Sequence, residues 1–148
     1  MYSRRPRLTD DDFRRLLSFR DGLRRFLRWS EEQAKAVGLT GVQHQLLVAV
    51  RGHGAPPSIR EVADHLLLRH HSVVELVDRA EAAGLLERFD DPDDQRVVRL
   101  RLTRAGEEKV EALAAAHVEE LSRLRPRFTI LWDDLPEVPP SSARRKTG

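Results

Sequence analysis

Cysteine is absent from the 148-residue sequence, and so is any long apolar run. A chain without cysteine can form no disulfide, no thiolate zinc site and no cysteine-based redox sensor. No apolar stretch approaches the ~20 residues that a membrane-spanning helix needs. The basic N-terminal segment "MYSRRPRLTDDDF" lacks the apolar core of a signal peptide. We therefore expect a soluble protein of the cytoplasm.

The sequence also lacks the residue patterns of common catalytic and metal sites. It contains no recognisable nucleophile–base pair, no glycine-rich phosphate loop and no metal-ligand spacing such as H-E-x-x-H. Six histidines occur: His44, His53, His65, His70, His71 and His117. His117 falls on an apolar helical stripe, which is typical of a packed histidine. We expect no enzyme, no cofactor and no metal site; a histidine-based zinc sensor is the minor alternative.

Charge is abundant but nearly balanced. Charged residues make up 34% of the chain and hydrophobic residues 40%, with 26 basic and 24 acidic side chains. The length fits one domain with a modest core. The calculated pI of about 9.5 permits nucleic-acid binding without demonstrating it.

Apolar periodicity and capping residues predict mainly helical structure. A long helix is expected over 10–37, with a bend or break near Gly22. Further helices are expected after Thr40, after Ser58 and after Thr103. The helix between the last two begins either after Ser72 or two residues earlier. Pro126 should interrupt the last long helix, a short helix should follow in 128–135, and the proline-rich tail 137–148 should be disordered.

A β-hairpin is expected between the helix that begins near Ser72 and the helix that follows Thr103. "LLERF" (85–89) and the alternating segment after Arg96 have strand patterning, and "DDPDDQ" (90–95) is rich in turn formers. Asp94 stands two residues before Arg96, where its carboxylate could orient the guanidinium. Arg99 and Arg101 either contact phosphate, with Arg99 the better candidate, or keep an exposed strand soluble.

This order of elements predicts a winged helix-turn-helix: a mainly α fold with a small β-hairpin wing and long flanking helices. In such folds the second helix of the pair enters the DNA major groove. Its first residues here are His70, His71 and Ser72, which either meet bases and phosphates or serve only capping and solvation. Glu75 and Arg79 lie away from the apolar stripe; Arg79 contacts phosphate or pairs with Glu75.

Three segments of this region resemble the MarR family of transcriptional regulators. "ELVDRAEAAGLLER" is similar to the end of the family's recognition helix, and "LTRAGEE" to the entry of the following helix. "DPDDQRVVRLRLT" resembles the wing, with Asp94 and Arg96 at the positions of the family's Asp-x-Arg motif. The resemblance covers about residues 9–125.

The resemblance implies a homodimer whose long helices 9–37 and 104–135 intertwine, around a DNA-binding lobe over 40–103. We expect one domain over 1–136. Two lobes would meet successive major grooves of a pseudo-palindromic DNA site. It further implies repression relieved by a small aromatic or phenolic ligand, for which Phe26, Trp29 and His44 are the pocket candidates; core packing is their alternative role.

The sequence therefore predicts a dimeric, sequence-specific DNA-binding regulator, in most family members a repressor. Its predicted DNA-binding residues are His70, His71, Ser72, Glu75, Arg79, Asp94, Arg96 and Arg99. The alternative is a winged-helix module that binds proteins and no DNA.

Overall fold

A computed structural model of the protein describes residues 7–135. The predicted tail and the first six residues lie outside this range. The described elements follow the predicted order of helices, hairpin and long helix. They are α1 (Asp10–Ala36), α2 (Gly41–Gly52), α3 (Ile59–Leu66), α4 (His70–Ala82), β1 (Leu86–Asp90), β2 (Val98–Leu102) and α5 (Arg104–Asp133). None of the described helices is both long and apolar enough to cross a membrane.

Local capping explains where three of the helices begin. Thr40 Oγ1 accepts from the Gln43 N–H at 3.1 Å, and the Gln43 side chain accepts from the Thr40 N–H at 3.0 Å. Ser58 and Glu61 form the same reciprocal capping box at the start of α3. Thr103 Oγ1 accepts from the Gly106 N–H at 3.2 Å. These bonds satisfy amide donors that a helix leaves unpaired at its start, and the three predicted caps are confirmed.

The start of α4 settles an alternative that the sequence left open. The helix begins at His70, and Arg69 is its N-cap residue without a side-chain bond. The carbonyl of Arg69 accepts from the Ser72 N–H at 3.1 Å and the Val73 N–H at 3.2 Å. The earlier start is therefore correct, and Ser72 lies inside the first turn rather than capping it.

Neither long helix is interrupted where the sequence predicted a break, and the bend predicted as an alternative near Gly22 stays a prediction. Helix α1 runs through Gly22 without interruption, and α5 runs through Pro126 to Asp133. Proline forfeits one helical hydrogen bond, but its fixed φ is helical. Aromatic contacts hold the segment beyond it: the rings of Phe128 and Trp132 each lie 5.5 Å from the ring of Phe19.

The chain divides into two compact units. One runs from Leu27 to Glu120, and the other combines the chain up to Phe26 with the chain from Leu121 onward. In this second unit Leu124 and Leu131 are buried, seven residues apart on α5, which places them on one helix face. The single domain expected over 1–136 stays a prediction.

The Leu27–Glu120 unit holds the core beneath the helix-turn-helix. Its most buried large side chains are Leu46, Leu47, Val62, Val73, Val77, Leu86 and Leu100. Strands β1 and β2 pair antiparallel, with Arg88 opposite Leu100. The segment before α3 joins this hairpin, because the Leu100 N–H donates to the Pro57 carbonyl at 2.9 Å. Core burial thus fixes the hairpin against α3 and α4.

Gly106 allows α5 to pack closely on the start of the hairpin. A Cβ at this position would lie 2.0 Å from the Leu85 carbonyl oxygen, which is backbone and cannot swing away. Thr103 stabilises the same junction, since its hydroxyl donates to the Gly84 carbonyl at 2.6 Å. Any side chain at position 106 would force the first turn of α5 away from the hairpin.

Candidate nucleic-acid interface

Helix α4 presents a polar stripe on the side opposite its buried residues. Val73, Val77 and Ala80 are fully buried, so the helix can expose only its other face. His71, Glu75 and Arg79 are exposed at intervals of four, which places them one above another. Among the described residues, Glu75 and Arg79 form no ion pair with each other, so the structure does not support the pairing considered for Arg79. His70 is also exposed, and Ser72 is partly buried.

Arg88 ties the second half of α4 to the hairpin. Its NH1 and NH2 groups lie 2.8 Å from Glu81 and 2.5 Å from Asp78, and its backbone N–H donates to Glu81 at 3.0 Å. Burial opposes the charged form of Arg88, but the hydrogen bonds that its guanidinium donates to Asp78 and Glu81 outweigh burial and raise the pKa of the guanidinium. This clamp, which the sequence did not reveal, fixes the helix relative to β1.

Asp91 shapes the turn of the wing, the hairpin β1–β2 with residues 91–97 between its strands. Its Oδ1 accepts from the N–H groups of Asp93 and Asp94, at 2.7 and 3.0 Å. The Val97 N–H donates to the Asp94 carbonyl at 2.9 Å. The acidic residues of the turn thus satisfy backbone donors, which explains part of the local concentration of aspartate.

Arg96 stands at the wing tip in the orientation that the sequence predicted. Its Nε and NH2 groups donate to the two oxygens of Asp94 at 3.0 and 3.1 Å, and its backbone N–H donates to the same carboxylate. These bonds, the Arg96 side chain first, lower the pKa of Asp94. The Arg96 side chain is nevertheless 90% exposed. Asp94 therefore directs a guanidinium that remains open to a partner.

Arg99, another predicted DNA-binding residue, is engaged within the protein. Its Nε lies 2.8 Å from Asp91, and its NH1 lies 3.3 Å from Glu61 in α3. The hydrogen bond that Arg99 donates to Asp91 is the main cause that raises the pKa of Arg99. Only 26% of the side chain is exposed, so Arg99 is much less available to phosphate than Arg96.

Arg101 also has partners on the hairpin. Its Nε lies 2.5 Å from Glu87 on the neighbouring strand, and its guanidinium carbon lies 4.5 Å from the centre of the Phe89 ring. Such stacking and pairing are consistent with a strand face kept soluble by charge.

Two of the three predicted ligand-pocket residues meet beside α5. The ring of His117 lies 4.9 Å from the rings of both Trp29 and His44. His117 Nδ1 is 2.7 Å from the Leu113 carbonyl and can only donate there, so in the neutral ring Nε2 accepts from the Ser30 hydroxyl at 2.6 Å. His44 is buried, and burial first, then the charge of His117, lowers its pKa.

Phe26, the third pocket candidate, belongs to the other unit and is partly buried. A groove within the Leu27–Glu120 unit lies elsewhere. Its lining includes His53, Pro56, Phe89 and Arg99 and none of the three predicted pocket residues.

Residues 37–97 match the sequence model of the MarR family. The match runs from the end of α1 to the wing turn, and so contains α4, Asp94 and Arg96. Among curated proteins, the chain is similar to the uncharacterized HTH-type transcriptional regulator YhbI of Bacillus subtilis, with 32% identity over 55% of this chain and 52% of that protein.

Further proteins extend the likeness. The HTH-type transcriptional repressor NicR of Pseudomonas putida is 32% identical over 62% of this chain and 59% of that protein. Among solved structures, AbsC, a MarR family transcriptional regulator from Streptomyces coelicolor, has a TM-score of 0.65 at 23% identity, covering 85% of this chain and 84% of that one. A mutant MarR from E. coli complexed with operator DNA has a TM-score of 0.62 at 21% identity, covering 80% and 91%. The fold is thus the winged helix of this family, while the chain spans only about half to three-fifths of the length of the curated relatives it matches.

Local sequence patterns do not reveal the residues that hold the wing against α3. By local pattern Glu61 is an ordinary helix-capping residue and Asp91 an ordinary turn residue. Their shared partner Arg99 lies 38 residues from Glu61 in sequence, and no local pattern indicates a contact over that separation. The alternation of apolar residues in β2 does predict that positions 97, 99 and 101 share a face.

Proposed function

We propose that this MarR-family protein is a homodimeric, sequence-specific DNA-binding regulator, a repressor relieved by a small ligand in the cytoplasm. The observation that carries the proposal is Arg96, a guanidinium held by Asp94 at the wing tip and left 90% exposed. A cation held in one direction, yet open to solvent, is suited to phosphates or to the narrow, negative minor groove.

The recognition helix supplies the second contact surface. His71, Glu75 and Arg79 form its exposed stripe, and His70 lies at its start. In helix-turn-helix proteins this surface enters the major groove, with the first residues of the helix at the base edges. Glu75 would accept a hydrogen bond from a cytosine amino group, which is the base-edge donor that suits a carboxylate. These roles are those of specificity, whereas Arg96 supplies affinity and register.

The proposed dimer is supported by exposed apolar side chains on both long helices. Phe13, Leu17 and Leu27 of α1 are 58, 58 and 54% exposed, and Val118 and Ile130 of α5 are 64 and 55% exposed. Large apolar residues left exposed in such numbers indicate a surface that another protein covers. A second copy of the chain would also supply a second lobe for a pseudo-palindromic site.

The proposal of repression rests on the name of a relative, and the proposal of relief by a ligand rests on the residues around His117. NicR is named a repressor. Trp29 and His44, which flank His117, provide aromatic surface and a buried ring nitrogen, which suit a small aromatic or phenolic ligand. Displacement of the operator by such a ligand is the expected regulatory event.

The first test is selection of binding sites from random duplex DNA, followed by anisotropy titration of the winner at 50 and 200 mM salt. We expect a pseudo-palindrome with half-sites about one helical turn apart and a steep loss of affinity with salt. Absence of enrichment would contradict the proposal and favour the protein-interaction module.

The oligomeric state is tested separately by light scattering on the purified chain. Leu17→Glu should dissociate the dimer because it places a charge in the proposed apolar interface. Leu67→Glu is the matched control: Leu67 is 91% exposed in the α3–α4 turn, so the dimer should persist. A wild-type monomer, or dissociation by both variants alike, would contradict the assigned interface.

A further inference from the structure

We propose that the bridge Asp91–Arg99–Glu61 positions the wing relative to the recognition helix, so that Glu61 and Arg99 act in DNA binding without touching DNA. This inference rests on the proposed function and assigns a role to residues that the DNA-contact surface does not use. It also gives Arg99 a role different from the phosphate contact that the sequence predicted.

The middle of the bridge is a largely covered arginine. Arg99 lies on β2, and its Nε and NH1 groups bind two carboxylates from different parts of the fold, at 2.8 and 3.3 Å. Its side chain is 26% exposed, against 90% for Arg96. Two carboxylates around one guanidinium leave the group with a net negative charge. Such a group is a poor phosphate ligand but an effective tie between the elements that supply it.

The Glu61 end of the bridge is fixed to the helix-turn-helix. Glu61 Oε2 accepts from the Ser58 N–H at 2.8 Å, as part of the capping box of α3, and His53 Nε2 lies 3.4 Å from the same oxygen. Helix α3 packs directly on the recognition helix α4. A shift of the Glu61 carboxylate relative to Ser58 would therefore break the cap of α3.

The Asp91 end is fixed to the wing tip. One oxygen of Asp91 binds Arg99, and the other accepts from the N–H groups of Asp93 and Asp94. Asp94 in turn holds Arg96. The bonds thus form an unbroken series from the cap of α3, through the bridge, to the exposed guanidinium. If the series is broken, the wing can change its angle and Arg96 no longer meets DNA in register with α4.

The decisive variant is Glu61→Gln, because glutamine keeps the capping box but loses the charge that binds Arg99. Removing an acid near the proposed DNA-binding surface should, by charge alone, tighten binding. Loss of positioning should instead weaken it by about 3- to 30-fold. Asp93→Asn is the matched control: it removes an acid from the same turn, and its side chain makes no hydrogen bond or ion pair with the described residues. It should bind as the wild type or more tightly.

Arg99→Gln and Arg99→Lys separate positioning from contact. A positioning role predicts that both variants weaken DNA binding while the slope of log K against log salt stays at the wild-type value. It also predicts that the double variant Glu61→Gln/Arg99→Gln binds no more weakly than Glu61→Gln alone. A phosphate contact predicts a slope shallower by about 0.9 for Arg99→Gln and near wild-type binding for lysine, which binds phosphate as a point charge.

Thermal melting of each variant establishes that it is folded at the temperature of the titration. Weakened binding by folded Glu61→Gln at unchanged salt slope would support the inference. Wild-type or tighter binding by Glu61→Gln would overturn it and leave the proposed function intact. Failure of the wild-type protein to select any DNA site would instead overturn the proposed function, and the inference with it.

Discussion

Asp94→Asn is the perturbation that most directly examines why the wing carries an acid beside its exposed arginine. The substitution removes one negative charge from the wing tip and weakens the two side-chain bonds, at 3.0 and 3.1 Å, that direct Arg96. Charge alone predicts tighter DNA binding, because an anion near the phosphates is lost. Orientation predicts weaker binding, because Arg96 must then be ordered when DNA binds.

The size of the orientation effect follows from the geometry. Ordering a free arginine side chain costs about 30-fold in affinity. Asp94 fixes the guanidinium end, roughly half of the rotatable bonds, so its loss should weaken operator binding by about fivefold. Arg96→Ala removes the contact itself and should cost about 5- to 150-fold. Since Asp94 acts through Arg96, the double variant should bind like Arg96→Ala alone.

Anisotropy titration of the selected operator at fixed salt measures all four proteins, and melting curves show whether their folding is affected. With its side chain 90% exposed, Arg96 contributes little to folding, so the melting temperatures should agree closely. Equal or tighter binding by Asp94→Asn would refute the orientation argument. An unchanged affinity for Arg96→Ala would refute the role of the wing in DNA binding.

Three further predictions concern stability. Leu67→Gly should stabilise the protein by about 0.5–1 kcal/mol in urea unfolding. Leu67 has a φ of 54°, and the backbone strain that glycine relieves there exceeds the conformational entropy that glycine loses on folding. A loss of stability would contradict this prediction. Leu100→Ala should cost about 2–5 kcal/mol, since Leu100 is fully buried, and a melting temperature within about 2 °C of wild type would contradict it. The pKa of His44 in the folded protein lies below the ordinary 6.5. The unfolded chain therefore takes up the proton first as the pH is lowered, and the free energy of unfolding falls as the pH drops through 6.5. His44→Phe should flatten this pH dependence in urea titrations, and an unchanged dependence of the unfolding free energy on pH would refute the assignment.

Features that depend on neighbours in sequence were predicted well. Helix starts at Thr40, Ser58 and Thr103 depend on hydrogen bonds across three residues, and the Asp94–Arg96 pair spans only two. In each case the backbone geometry of a turn brings the groups together whatever the rest of the chain does. The hairpin likewise followed from alternating apolar residues around a turn.

The continuation of α5 depended on more than local propensity. Proline normally ends a helix, and the residues around Pro126 give no sign that the helix continues. Contacts of Phe128 and Trp132 with Phe19, on a helix more than 100 residues earlier, accompany the continuous helix. Tertiary packing can override local preference in such cases, because contacts between aromatic rings compensate for one lost hydrogen bond.

The sequence by itself determined the order of elements, the helix caps and the exposed, oriented Arg96, because each arises from groups a few residues apart. Only the tertiary structure decided what the other arginines do. Arg88 and Arg99 meet their carboxylates because α3, α4 and the hairpin share one core, and a side chain's partner across such a core depends on packing, not on sequence spacing. Arg96 and Arg99 are three residues apart, yet the first is open to solvent and the second is enclosed by Asp91 and Glu61.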